Sequence, residues 1–345
     1  MITTSGRPIV LAIDDSSMTG EARRAAAAMA GRLGFDETGA GRVAIVATEA
    51  ATNLWKHAQG GGLVIQGVES GTVGGVEILS VDRGPGMVDV DRCLADGYST
   101  AGSPGTGLGA IGRLSDEFNV HSLPGVGTVT MARLWPSKPP VDAPGPGLEF
   151  GAVSLPLAGE EVCGDGWAIE QLPGRSLVFV VDGLGHGPQA AEAAREAILV
   201  FGELSSLAPT EIIKSAHNAL RSTRGAALAV SRVDFDRGEV QFAGVGNIAG
   251  AILGAPGERS TSLVSHNGTV GHTIRKIQEF VYPWSPGSLL VMHSDGLGSQ
   301  WNLDRYPGLA ASHPGLVAGT LYRDFRRIRD DVTVVAAREE GEFRR

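Results

Sequence analysis

The chain has 345 residues, 42% of them hydrophobic and 19% charged, with a formal net charge of −9. That length exceeds one ordinary core and fits two domains, each apolar enough to fold rather than stay disordered. The acidic balance excludes a nucleic-acid binder, because phosphate contacts need a basic face, and two cysteines without C-x-x-C spacing exclude a disulfide framework or zinc site.

A strand is expected over Pro8 to Ile13. Its apolar run, Ile9 to Ile13, is too short for a signal peptide and meets Asp14 and Asp15. Ser16 or Ser17 is placed to cap an Ala-rich helix reaching Gly31. A second helix is expected from about Gly41 to His57, ending at Gly60-Gly61-Gly62. Strands follow at Leu63 to Val68 and Val76 to Val81, then a glycine-rich stretch, Gly97 to Gly109, leading into a helix to about Leu114. Strands Phe118 to Ser122 and Thr128 to Leu134 close this half, with helices on one side of a mixed sheet.

Pro136 to Gly147 holds five prolines in twelve residues and can continue neither a helix nor a central strand. It divides the chain into domains 1–135 and 148–345, with 136–147 as linker. Beyond it, strands are expected at Phe150 to Leu155, Trp167 to Gln171 and Leu177 to Val181, and helices at Pro188 to Phe201 and Pro209 to Thr223. Strands Ala227 to Asp234, Glu239 to Ala243, Ile248 to Leu253, Leu289 to His293 and Val332 to Ala336 follow, with a helix near Leu316 to Phe325. This pattern points to stacked sheets flanked by helices. No apolar run approaches the roughly 18 residues a membrane helix needs, so a soluble, cytoplasmic chain without membrane partners is expected.

Three elements of the first half point to a nucleotide. Glu49 and Asn53 lie four apart on one helix face. The Asn carbonyl suits Mg²⁺, and the Glu suits activation of a hydroxyl, although such a pair by itself is more often a solvated face. Asp82-Arg83-Gly84-Pro85-Gly86 ends a strand: its Asp can accept from an exocyclic amine, or simply close a Gly-Pro turn. Gly105-Thr106-Gly107-Leu108-Gly109 opens a helix with backbone N–H groups that can cradle phosphates, although it is not a Walker loop.

The second half carries Asp165-Gly166, Asp182-Gly183, Asp295-Gly296 and Asp330-Asp331 at strand edges. An isolated Asp-Gly pair is usually a turn. Two of these follow markedly apolar strands, however, and converging carboxylates repel unless cations neutralise them. The set therefore points to two hard cations, Mg²⁺ or Mn²⁺, activating water against a phosphate ester.

These motifs carry two resemblances. Glu49 to Asn53, Asp82 to Gly86, Asp96 to Thr100 and Gly105 to Phe118 resemble the GHKL (Bergerat-fold) ATPases, most closely the RsbT-type serine/threonine switch kinases. The resemblance implies ATP, with Glu49 as base, Asn53 as Mg²⁺ ligand, Asp82 as adenine reader, and Gly84, Gly86, Gly105, Thr106, Gly107, Leu108 and Gly109 around the nucleotide. Residues 149–338, through Val181 to Gly187, Gly244 to Asn247, Ser294 to Leu297 and Asp330 to Thr333, resemble the PPM phosphatases of the SpoIIE/RsbX group.

By that pattern Asp182 bridges two metals and the Gly183 carbonyl joins one, while Asp165, Asp295 and Asp330 complete the shells. Asp331 is an alternative, outer-shell position; His186 is either a general acid or a loop-ordering residue; Asn247 is expected to be structural. The implied fold is two-domain α+β: a Bergerat α/β sandwich followed by an αββα sandwich. The implied function is a bifunctional partner-switching regulator that phosphorylates and dephosphorylates Ser/Thr of a STAS-domain anti-sigma-factor antagonist or stressosome-type protein. The alternative is a phosphatase whose first domain only senses ATP or grips a sigma factor or a downstream phosphatase.

Overall fold

The computed structural model describes residues 2–70, 72–94, 107–137, 146–255 and 258–340, with backbone only for residues 2–6. The chain separates into two compact units: Thr4–Pro140 with Asp304–Ser312, and Met1–Thr3, Val141–Leu303 and His313–Arg345. No described helix is long and apolar enough to cross a membrane.

The first unit contains β1 (Ile2–Ile13), α1 (Met18–Arg32), α2 (Glu37–Ala58), β2 (Gly61–Ser70), β3 (Val73–Val81), α3 (Val90–Leu94), α4 (Gly107–Leu114), β4 (Glu117–Leu123) and β5 (Gly127–Leu134). Its strands run in the order β1-β2-β3-β5-β4. Val43, Ala47, Ala50 and Leu54 recur on one stripe of α2 and pack with Met29 of α1, Ile111 of α4 and Ile65 and Ile78 of the sheet. The core thus lies between the helices and one sheet face.

Both helix starts differ in detail from expectation. Ser17 occupies the cap of α1 without a side-chain cap bond; instead its N–H donates to Asp15 Oδ1 at 2.6 Å. The second helix begins four residues earlier than Gly41, because Asp36 caps it by accepting from Gly39 N at 2.7 Å. It ends on Gln59 in the left-handed conformation (φ 60°), before the glycine cluster is reached.

One row of the sheet is polar. Gln66, Glu77, Arg133 and Glu117 stand directly opposite one another across β2, β3, β5 and β4. Gln66 Nε2 donates to Glu77 Oε1 at 2.7 Å, and Arg133 donates to Glu77 at 2.6 Å and to Glu117 at 3.3 Å. Burial opposes the Arg133 charge, yet the two carboxylates hold its pKa above the ordinary value.

The second unit contains β6 (Leu148–Leu155), β7 (Asp165–Leu172), β8 (Arg175–Gly183), α5 (Pro188–Leu204), α6 (Pro209–Ala219), β9 (Ala226–Asp234), β10 (Glu239–Val245) and β11 (Ala249–Leu253). It continues through β12 (Thr261–Leu263), β13 (Gly268–Thr269), β14 (Thr273–Ile274), β15 (Phe280–Pro283), β16 (Leu289–His293), α7 (Pro314–Phe325) and β17 (Val332–Glu339). Strands β15-β10-β9-β8-β7 form one antiparallel layer and β12-β11-β16-β17-β6 another. Helices α5 and α6 pack on the first layer, whose core includes Phe179, Phe201, Ile212 and Leu228, and α7 packs on β6 and β17. The result is helix, sheet, sheet, helix. The fold is α+β in two parts, as expected.

Candidate functional site

In the first unit, α2 carries Glu49 and Asn53 to the start of α4. A Cβ built on Gly107 would lie 2.8 Å from Glu49 Oε2 and 3.3 Å from Asn53 Oδ1, so the α4 N-terminus lies directly against these two groups. Leu108 packs against the core and Gly109 is buried. Gly105 and Thr106 lie outside the described residues, as do Asp96 to Thr100.

Asp82, just past β3, is buried. Its Oδ1 accepts from Gly84 N at 2.8 Å and from Thr128 N at 3.1 Å. The turn-closing role allowed by the sequence is therefore realised. Gly84 packs against Ala58 at the end of α2, and Gly86 against the Leu123 carbonyl. Ala58 lies five residues beyond Asn53, roughly 7.5 Å along the helix axis, so α2 spans both the Glu49/Asn53 end and the Asp82 end of the site.

In the second unit, antiparallel pairing sets Asp165 of β7 directly opposite Asp182 of β8. Asp295 follows β16 and Asp330 precedes β17, neighbours in the other layer. Asn247, between β10 and β11, joins the layers: its Nδ2 donates to Asp295 Oδ2 at 2.6 Å and lies 3.3 Å from Asp182 Oδ2. The sequence marked Asn247 as structural; it touches two of the carboxylates, and its position after Gly244-Val245-Gly246 was the available signal.

The electrostatics follow from this crowding. Burial first, then the charges of Asp295 and Asp330, push Asp182 up to about 7. Burial and Asp182 drive Asp165 well above the usual carboxylate range, against the lowering effect of Ser294 Oγ, which donates to Asp165 Oδ2 at 2.6 Å. Burial and Asp295 raise Asp330. Ser294, quoted within the Ser294 to Leu297 motif but given no role there, also accepts from Thr333 N at 3.0 Å, tying β17 to the cluster.

Asp331 is placed differently from its neighbour. Its Oδ1 accepts from Leu157 N at 2.6 Å and its Oδ2 from Gly164 N at 2.9 Å, so both oxygens clamp the segment before β7. Gly183, at the end of β8, donates its N–H to the Gly164 carbonyl at 3.0 Å. His186 Nδ1 lies 2.6 Å from Glu160 Oε1, a partner compatible with either role left open for it.

Oxygen donors that raise one another's pKa fit hard divalent cations, which would relieve the repulsion. Cys163, close enough to Asp165 and Asp331 to feel their charge, is pushed well above the ordinary thiol range, first by burial. The donors gathered here are carboxylate oxygens, which suit hard cations better than a soft metal.

Comparison with known proteins agrees with both halves. Residues 14–133 match the histidine kinase-like ATPase domain family and residues 173–340 match the stage II sporulation protein E (SpoIIE) family. The chain is 35% identical over 114 residues to serine/threonine-protein kinase RsbT of Bacillus subtilis (strain 168), covering 33% of this chain and 86% of RsbT. It is 25% identical over 139 residues to phosphoserine phosphatase RsbX of the same organism, covering 40% of this chain and 69% of RsbX. A solved structure described as "The bacterial stressosome: a modular system that has been adapted to control secondary messenger signaling" superposes with a TM-score of 0.53 at 30% identity, covering 56% of this chain and all of that one. The second part is thus similar to the SpoIIE family and to RsbX, and through its first part the chain belongs to the histidine kinase-like ATPase family as a relative of RsbT.

Proposed function

We propose that the chain is a bifunctional partner-switching regulator, a kinase in residues 1–135 and a phosphatase in residues 148–345, acting on Ser or Thr of a STAS-domain protein. The observation that carries this reading is the meeting of Asp182 and Asp295 at Asn247, with Asp330 and Asp165 close enough to raise the same group of pKa values.

In the kinase half, Asn53 holds the Mg²⁺ that accompanies substrate ATP, Asp82 reads the adenine, and the segment Gly105 to Gly109 surrounds the phosphates. Glu49 takes the proton of the acceptor hydroxyl as its oxygen bonds to the γ-phosphorus and ADP leaves. In the phosphatase half, Asp165, Asp182, Asp295, Asp330 and the Gly183 carbonyl hold two divalent cations. Bound there, Mg²⁺ or Mn²⁺ would supply charge neutralisation and a water of lowered pKa. Asn247 and Ser294 orient the carboxylates that do the holding, as outer hydrogen bonds generally do at metal sites.

The test is incubation with ATP, Mg²⁺ or Mn²⁺ and a STAS-domain substrate, with phosphoprotein followed in time. Glu49→Ala should abolish phosphorylation, and Asp182→Ala should let phosphoprotein accumulate. Unchanged dephosphorylation in Asp182→Ala sinks the metal assignment; ATP binding without transfer favours a sensing role for the first half.

A further inference from the structure

We infer that Arg224 is a phosphate-binding residue of the phosphatase half, receiving the phosphoryl group of the substrate beside the Asp182 cluster. The inference rests on the phosphatase reading above and adds to it a residue from outside the carboxylate set.

Register brings Arg224 to the site. Gly183 at the end of β8 pairs with Ala226 at the start of β9, and Leu184 N then donates to the Gly225 carbonyl at 2.9 Å. Continuing that register sets Arg224 against Gly185, three residues beyond Asp182. The guanidinium is there: Arg224 Nη1 lies 3.1 Å from where a Cβ on Gly185 would sit. Gly185 has φ +91°, a conformation that glycine adopts without strain, and the missing side chain leaves room for the guanidinium over the loop.

The loop that carries Arg224 is held on both sides. Thr223 N donates to the Leu220 carbonyl at 3.0 Å, and Thr223 Oγ1 accepts from Gly225 N at 3.0 Å. His272, between β13 and β14, donates from Nε2 to the Arg224 carbonyl at 2.9 Å. The backbone is thus pinned, whereas the side chain is exposed and has no ion pair among the described residues.

A charged side chain near acidic residues commonly pairs with one of them; the Arg224 guanidinium lies instead against Gly185, three residues beyond Asp182. The charge balance gives that position a use. Two divalent cations would about cancel Asp165, Asp182, Asp295 and Asp330, leaving nothing over for a phosphoserine that brings about −1.5 to −2. A guanidinium adds positive charge and presents a planar fork that matches two phosphate oxygens, which an ammonium cannot do.

The experiment uses the full chain as wild type, Arg224→Ala and Arg224→Lys, with Mn²⁺ binding titrated calorimetrically in each. Hydrolysis of p-nitrophenyl phosphate and its inhibition by inorganic phosphate are then measured. Arg224→Ala is expected to raise KM and the inhibition constant for phosphate about ten-fold or more, with Mn²⁺ affinity unchanged and partial recovery in Arg224→Lys. An active wild type matched by Arg224→Ala in both constants overturns the inference alone, as does an equal loss of Mn²⁺ affinity. A wild type that binds Mn²⁺ but hydrolyses nothing overturns the phosphatase reading and this inference with it.

Discussion

Asp182 ends the apolar run Val178 to Val181, and its carboxyl rises from the ordinary 3.8 to about 7 because burial and two neighbouring carboxylates oppose its charge. A raised carboxyl pKa means that the folded chain binds a proton more tightly than the unfolded chain between about pH 4 and 7. Stability without added cations should therefore fall as pH rises through that window, by on the order of a few kcal/mol. Thermal unfolding in chelator at a series of pH values reads this slope. Asp182→Asn should flatten it and Mn²⁺ should reverse it; a flat wild-type profile counts against the crowding. The adjacent aspartates 330 and 331 make a second contrast. Asp331→Ala leaves two backbone N–H groups without their acceptor and should cost about 3 kcal/mol in chemical denaturation. Asp330→Ala removes one of the repelling carboxylates, so without cations it should not share that loss of stability, while it lowers phosphatase turnover. The resemblance favoured Asp330 as the ligand and left Asp331 as an outer-shell alternative; the backbone entering β17 sets the two apart, with both Asp331 oxygens taken by backbone N–H groups.

At the scale of elements, apolar periodicity was enough to find most of the helices and the long strands, and boundaries shifted where packing outweighed local propensity. The helix expected from about Gly41 begins at Glu37, because Asp36 caps it and Gly39 packs against Phe35. Strands β12 to β15, two to four residues each, are too short to carry a period, so nothing in the sequence announced them. The polar row across the first sheet was also hidden, since it is made by pairing across β2, β3, β5 and β4 and not within any one stretch of sequence. Arg133→Met should destabilise the chain by roughly 3–5 kcal/mol, because it leaves Glu77 buried without its cation. The double change Glu77→Leu with Arg133→Met should recover part of that loss, a comparison that denaturant titration can make.

For the whole molecule, two ligand classes imply two separable linkages. ATP with Mg²⁺ should raise one unfolding transition and Mn²⁺ the other, each by about 2.7 kcal/mol at a hundred-fold excess over its Kd. Calorimetry checks this: Asp82→Asn should remove only the ATP effect and Asp182→Asn only the Mn²⁺ effect, and a crossed pattern counts against the assignment. The amino-acid order alone gave two apolar halves, Glu49 and Asn53 on one helix face, Asp82 just past a strand and the Asp-Gly pairs at strand edges. Those are local properties, written in periodicity and composition. Only the tertiary structure decided which acids meet, that Asn247 and Ser294 hold them, that Asp331 serves the backbone, and that Arg224 stands beside Gly185. Asp182 and Asp330 are more than a hundred residues apart, and their approach is set by strand order and register, which no window of sequence contains.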